Sequence, residues 1–382
     1  MVDRYLWHSG SRPLNQRWPL VPALREDELF SSWLIRCSLC HACGPLELAH
    51  MMWPGQRLWT RDCDRRICTL PLDQLAQNSG LEDGALLSST LEPVCQLLHL
   101  DSSSRSITPW VLSLGSRNTR RAGGLQYCPA CFNEPRPYYR LQWRLAWYTS
   151  CPFHRVLLRD RCPHCQAVIS PHRLDHTALD LSRCHACRGR LSEVDLAPGD
   201  LKACELESFA DSIVLGNELG FGGLVLPAHE WFALLRELHQ LLRALSRQRT
   251  EFAREFLSQL DVDLNALPEV VLGLPLECLS IEDRVAYLSV LNDILQAGAR
   301  RFFLAARNPA LSHSYYAAAI GDGQSCLREL LSDVPARPYV RGKRVFGKPR
   351  SKCSVLRSWL RFERKALRCG ISRQCFLRWG NT

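Results

Sequence analysis

The stretch YCPACFNEPRPYYRLQWRLAWYTSCPFH, Tyr127–His154, decides how the chain is read. It opens on a CxxC, runs through nineteen residues and closes on a CxxH. Cys128 and Cys131 form this first knuckle, Cys151 and His154 the second, Cys162 and Cys165 (CPHC) a third, and Cys184 and Cys187 (CHAC) a fourth. A CxxC turn presents two thiolates from one tight loop and tetrahedral zinc takes four such ligands, so two knuckles make one closed site. Sequential pairing gives a site of three cysteines and a histidine from Cys128, Cys131, Cys151 and His154, and an all-cysteine site from Cys162, Cys165, Cys184 and Cys187. Pairing the first knuckle with the third is also chemically allowed. The sequential arrangement is preferred because nineteen and eighteen intervening residues each suffice for one small loop or helix. His164 and His185 inside the knuckles, and His172 and His176 in the second loop, are read as bystanders.

Three other readings compete. Buried cysteines are common core residues, but four knuckles in register argue against that. A catalytic zinc keeps one position open for water, whereas both sites here are full, so the expected role is structural. A redox CxxC calls for one isolated dithiol near a βαβ pattern, and no such pattern is present.

The chain has 382 residues, enough for two or three domains, and nineteen cysteines. In the first thirty residues Trp7, His8, Arg12 and Arg17 break up the apolar positions, unlike a secretory signal. The most apolar stretch, Leu267–Ile281, is too short to span a bilayer and carries Glu269 and Glu277. A soluble, cytoplasmic protein is therefore expected, in which thiols stay reduced and an odd cysteine count reflects metal ligation or burial.

Upstream of the knuckles, EDELFSSWLIRCSLCHA begins with acids suited to a first helical turn and repeats Phe30, Trp33, Leu34 and Cys37 at helical spacing. Gly44 reads as its stop and PLELAHMMW as a second helix, compatible with helix-turn-helix geometry. Cys37, Cys40 and Cys43 fall along this helix and its end, Cys37 and Cys40 on one face, and are read as core cysteines. One or two short helices and a Ser-rich loop follow, and GSRNTRRAGG, Gly115–Gly124, reads as a linker.

After Val194 amphipathic helices take over, with no alternating strands. One repeats Trp231, Leu234, Leu235, Leu238, Leu241, Leu242 and Leu245; another begins at Ser280, a candidate N-cap with Asp283 three residues on. The formal charge of +10 is the balance of +13 in residues 337–382 and −3 in the rest, which points to a polyanionic partner for the tail. In FERKALRCGISRQCFLRWG, Ala366, Gly370, Ile371, Phe376 and Trp379 have the spacing of a second helix-turn-helix. Its second helix, from Ser372, projects Arg373, Gln374 and Arg378 toward DNA, with Arg341, Lys343 and Arg344 as further candidate nucleic-acid contacts.

The expected fold is mainly α, in four regions: an N-terminal helix-turn-helix-like domain over 1–114, a tandem zinc-knuckle module over 125–194, a helical domain over 195–335 and a basic helix-turn-helix-like segment over 336–382. LFSSWLIR (Leu29–Arg36), followed in order by YCPAC, Trp143 and Trp147, CPFH, LLRDRCPHC and CHAC, resembles the TniQ family and the related TnsD target selectors. The chain is short for a TnsD-type selector, so TniQ is the closer likeness. The resemblance implies a non-catalytic transposition adaptor that links a target-recognition component, in some elements a CRISPR effector complex, to an AAA+ ATPase regulator that recruits the transposase. It also implies that the adaptor can act as a dimer. In other elements the adaptor or a relative reads an attachment site directly. An enzyme is the weakest reading: no HxE paired with PCxxC marks a deaminase, and no separated trio of carboxylates marks a two-metal nuclease.

Overall fold

The computed structural model describes residues 17–56, 58–65, 72–101, 107–114, 123–221, 224–268, 274–307, 315–316, 319, 326–332 and 334, together with 355 and 359. Met1–Ala336 and Arg337–Thr382 form two separate units. In the second only Val355 and Trp359 are described, both helical and exposed.

The first unit is mainly helical. Its N-terminal part holds α1 (Phe30–Cys40), α2 (Pro45–Met52), α3 (Leu72–Ser79), α4 (Asp83–Ser88) and α5 (Glu92–Leu97). Phe30, Trp33, Leu34 and Cys37 of α1 are buried against Leu48, Ala49 and Trp53 in a small core of their own. Of the three cysteines read as core, Cys37 alone is buried; Cys43 is half-buried and Cys40 is exposed, because the helix turns that position outward.

Two expectations about α1 are corrected. The helix starts at Phe30, and the acids before it lie outside the first turn. Glu28 bridges Arg140 in an antiparallel pairing, accepts a hydrogen bond from Ser32 Oγ at 2.8 Å and pairs with Arg36, while Asp27 pairs with Arg140 and accepts from the Tyr138 hydroxyl. The Asp27 carboxylate and the Glu28 main chain tie the segment to the knuckle loop, while the Glu28 carboxylate turns back onto Ser32 and Arg36 of α1 and burial raises its pKa. Gly44, expected as the stop of α1, is the N-cap of α2, where its N–H donates to Glu47; the chain leaves α1 through Ala42, at φ 52°.

The knuckle region, from Tyr127 to about Pro198, is built of turns joined by isolated bridges. Past it come α6 (Leu201–Val214), β1 (Leu219–Phe221), β2 (Leu224–Leu226), α7 (Ala228–Gln248), α8 (Glu251–Ser258), α9 (Ile281–Ala306) and α10 (Cys326–Ser332). The strands pair antiparallel with Phe221 opposite Leu224, a short hairpin in a region expected to lack strands. It exists because Phe221 and Leu226 are drawn into the core while Val225 faces out.

Every apolar position expected on the first long helix, Trp231 through Leu245, is buried on α7. Ser280 caps α9, its hydroxyl accepting from the N–H of Asp283 at 3.1 Å, and Gly298 interrupts that helix at φ 78°. Helices α6 and α9 are joined by Lys202–Asp293 at 2.8 Å and Asn292–Glu205 at 2.7 Å. One core runs through the knuckle region and this helical half: Cys128, Phe132, Trp143, Trp147 and Cys151 share it with Phe232, Leu288 and Phe302. Of the expected linker, 115–122 lies outside the described residues. Its last residue, Gly124, is packed so tightly that a Cβ would stand 2.2 Å from the carbonyl oxygen of Ser113.

Candidate metal centres

Three of the four knuckles are the same hairpin. In each, the N–H of the first cysteine donates to a carbonyl five residues on: Cys151 to Val156, Cys162 to Ala167 and Cys184 to Gly189. The residue after the second ligand, Arg155, Gln166 or Arg188, adopts positive φ and donates its N–H back to the first cysteine. The first knuckle differs: it runs into a 3-10 turn at Cys131–Asn133, and the N–H of Cys131 points at Cys128 Sγ, 3.4 Å away.

These turns gather two sets of ligand atoms, Cys128, Cys131, Cys151 and His154, and Cys162, Cys165, Cys184 and Cys187, each within 4.8 Å of one another. In the first set Cys131 Sγ lies 3.7 Å from Cys151 Sγ and 3.3 Å from His154 Nδ1, and His154 Nδ1 lies 3.7 Å from Cys128 Sγ. In the second, Cys162 and Cys187 are 3.6 Å apart and Cys165 and Cys184 3.7 Å. A disulfide needs about 2.05 Å, whereas sulfurs about 2.3 Å from a shared tetrahedral ion stand about 3.8 Å apart. The spacing fits ions in both sets, and none of the described cysteines is in a disulfide.

The thiols carry the same message. Crowded together, they share protons: hydrogen bonds from Cys128 and Cys131 push the Cys151 thiol down to about 2, while the same contacts hold Cys131 well up. A cation would let all of them ionise.

The clusters differ in setting. In the first, Cys128, Cys131 and Cys151 are buried; in the second, Cys165 and Cys187 are exposed. His154 presents Nδ1 to the cluster, and its Nε2 lies 3.2 Å from Glu134, the carboxylate partner that orients a ligating imidazole.

The four bystander histidines stay outside both ligand sets. His164 donates to the carbonyl of Arg190, His172 stacks on Trp59 at 5.5 Å with burial pushing it down to about 4, His185 is lowered by burial, and His176 is exposed. Arg341, Lys343, Arg344, Arg373, Gln374 and Arg378 lie outside the described residues.

Sequence reasoning missed the supports. Arg161 and Arg183, each immediately before a cysteine, donate to the carbonyls of Gln166 and Arg188 and so brace their own hairpins. That repeated Arg-Cys was a readable signal. Glu207 of α6 accepts from the N–H groups of Thr149 and Ser150 and from the Thr149 hydroxyl, and Arg284 of α9 donates to the carbonyls of Ala146 and Tyr148 and to Gln126. Two buried charged side chains thus grip the segment that enters Cys151, and no sequence spacing announces them.

The serines of LFSSWLIR find their physical reason here. Ser31 donates through both N–H and hydroxyl to Asp64 at 2.8 Å, and Asp64 pairs at 3.1 Å with the buried Arg144, which also pairs with Asp62. Ser32 Oγ accepts from the N–H of Tyr139. The two serines bind α1 to the chain between the first two knuckles.

No helix among the described residues is long and apolar enough to cross a membrane. A comparison with curated proteins gives no match. The TniQ family model matches residues 19–158, a span that holds α1 to α5, the Ser31–Asp64–Arg144 tie and the whole first cluster. Residues 19–158 are thus similar to the TniQ domain, and a TniQ domain indicates a transposition-associated target-selection protein.

Proposed function

We propose that the protein is a non-catalytic adaptor that links a target-recognition component to an AAA+ ATPase regulator and, through it, to the transposase. The observation that carries this is the closure of both clusters. With four protein ligands each, Cys128, Cys131, Cys151 and His154 on one zinc ion and Cys162, Cys165, Cys184 and Cys187 on the other, neither site keeps a position for a reacting water. The ions supply folding free energy and hold surfaces in place. In this reading the α1–α2 pair and the segment 336–382 are helix-turn-helix units flanking the knuckle module (125–194) and the helical domain (195–335). The chain works in the cytoplasm, alone or as a homodimer, and its recogniser is a target-binding complex, CRISPR effectors included.

A second reading is favoured by one observation, the +13 charge of residues 337–382: a direct, sequence-specific selector in which Arg373, Gln374, Arg378, Arg341, Lys343 and Arg344 meet DNA. Purified full-length protein separates the two. The adaptor co-elutes with the ATPase regulator of its element and binds DNA weakly and salt-sensitively. A footprint by the protein alone that survives competitor DNA and is lost in Arg373→Ala or Gln374→Ala establishes the selector instead.

A further inference from the structure

Phe153 sits at the tip of the second knuckle, and 61% of its surface is exposed. A large ring in that position is unusual enough to need a reason, and its surroundings supply one. The Arg140 guanidinium stacks 4.2 Å from the ring centroid of Phe153 and 4.7 Å from that of Tyr138, and Arg25 lies 4.4 Å from the same tyrosine. Arg140 is itself fixed by its ion pair with Asp27. Phe153 is therefore the outermost layer of a braced cation–π ladder with its outer surface open.

The acids near the ladder are mostly engaged by neighbours. Asp27 is engaged by Arg140 and Tyr138, and Glu134 by His154, which leaves Glu26 as the remaining exposed acid of these two segments. Arg136 and Arg155 are exposed, and among the described residues neither has an ion-pair partner. The carbonyl of Arg136 accepts from Arg25, which places that arginine beside the ladder, and Arg155 follows Phe153 by two residues in the same hairpin turn.

From this we infer that the second knuckle is a binding site for single-stranded nucleic acid: one unpaired base stacks on the open side of Phe153 while Arg136 and Arg155 meet the flanking phosphates. An aromatic ring serves any base because every base has a π-face, and the arginines supply the backbone attraction. A duplex cannot use the ring, since its bases are stacked on one another. None of these residues lies in 337–382, so the inference stands or falls apart from the tail's DNA reading.

The test uses the full-length protein with labelled oligo(dT) and oligo(U) and with a duplex of equal length. Phe153→Ala weakens single-strand binding at least about fivefold, the loss of one base–aromatic stack, while leaving duplex binding and metal content unchanged. Phe153→Trp retains or tightens it, and 4-thiouracil in the strand crosslinks to the peptide that contains Phe153. Unchanged single-strand affinity in Phe153→Ala, an equal loss on single strand and duplex, or crosslinks confined to other peptides each overturn the inference. So does a protein partner released by Phe153→Ala with single-strand binding intact, which makes the ladder a protein contact.

Discussion

The imidazole of His164 occupies the space where a side chain on Gly189 would stand: a Cβ there would lie 2.4 Å from Cδ2 of the ring. His164 belongs to the third knuckle and Gly189 to the fourth, and the ring's Nε2 donates across to the carbonyl of Arg190 at 2.9 Å. This histidine is a clasp between the two halves of the all-cysteine cluster.

Gly189→Ala is expected to push the ring off that carbonyl, costing about 1 kcal/mol, the worth of one hydrogen bond, and to speed metal release from the second cluster only. His164→Ala makes room again, so the double variant should release metal no faster than His164→Ala alone. Chelator-trapped release kinetics check this. Wild-type rates in Gly189→Ala would mean that the clasp carries no strain between the knuckles.

Arg144 is buried with Asp62 and Asp64 as its partners, and beside it Asp64 is pushed up to about 6, chiefly by burial and against the pull of the arginine. Arg144→Met removes the charge paired with Asp64, and breaking a buried pair from one side costs about 3–5 kcal/mol. Adding Asp64→Asn should recover part of that loss. Chemical denaturation of the single and double variants decides it; a single variant within 1 kcal/mol of wild type contradicts the tie.

The sequence was legible where one local interaction dominates. Cysteine pairs in a tight turn, the leucine stripe of α7 and the Ser280 cap can be read from neighbours alone, and each stands where its spacing places it. What could not be read is long-range. The acids at 26–28 look like a helix start until Arg140, more than a hundred residues away, is seen to engage Asp27. Gly123 and Gly124 look like linker until the Ser113 carbonyl and Val168 are seen to leave no room for side chains. Glu207 and Arg284 carry no pattern because their partners are main-chain groups of the Ala146–Ser150 segment, which any sequence presents.

Glu207 gives a pH dependence with a definite sign. Burial raises its pKa to about 7, outweighing the hydrogen bonds from Thr149 and Ser150. The folded state holds the proton more tightly than the unfolded chain, so the stabilisation is complete below pH 4.5 and is lost as pH rises through about 7. Glu207→Gln keeps an acceptor oxygen without a charge, and should be the more stable protein at pH 8 by about 1–3 kcal/mol, with the difference shrinking toward pH 5. Thermal or urea melts of both proteins across that range test it, and parallel pH profiles would show that Glu207 is not a proton-binding core group.

The two clusters should lose metal in a fixed order. Cys128 and Cys151 are fully buried in the core that joins the knuckles to α7 and α9, whereas Cys165 and Cys187 face solvent. A chelator reaches exposed thiolates directly, but in the first cluster His154 alone is exposed and the three thiolates are freed when that core opens, which costs up to the global unfolding free energy. With two zinc ions bound, a chelator should remove one quickly while most helicity remains, and the second only together with cooperative unfolding. Cys162→Ser should then bind one ion and stay folded, while Cys128→Ser loses an ion and much of its stability, because metal binding at that site is folding free energy. Native mass spectrometry and circular dichroism on the same samples follow both events. Simultaneous loss of the two ions, or a folded Cys128→Ser protein at wild-type stability, would show that the buried cluster is not what holds the knuckles to the helices.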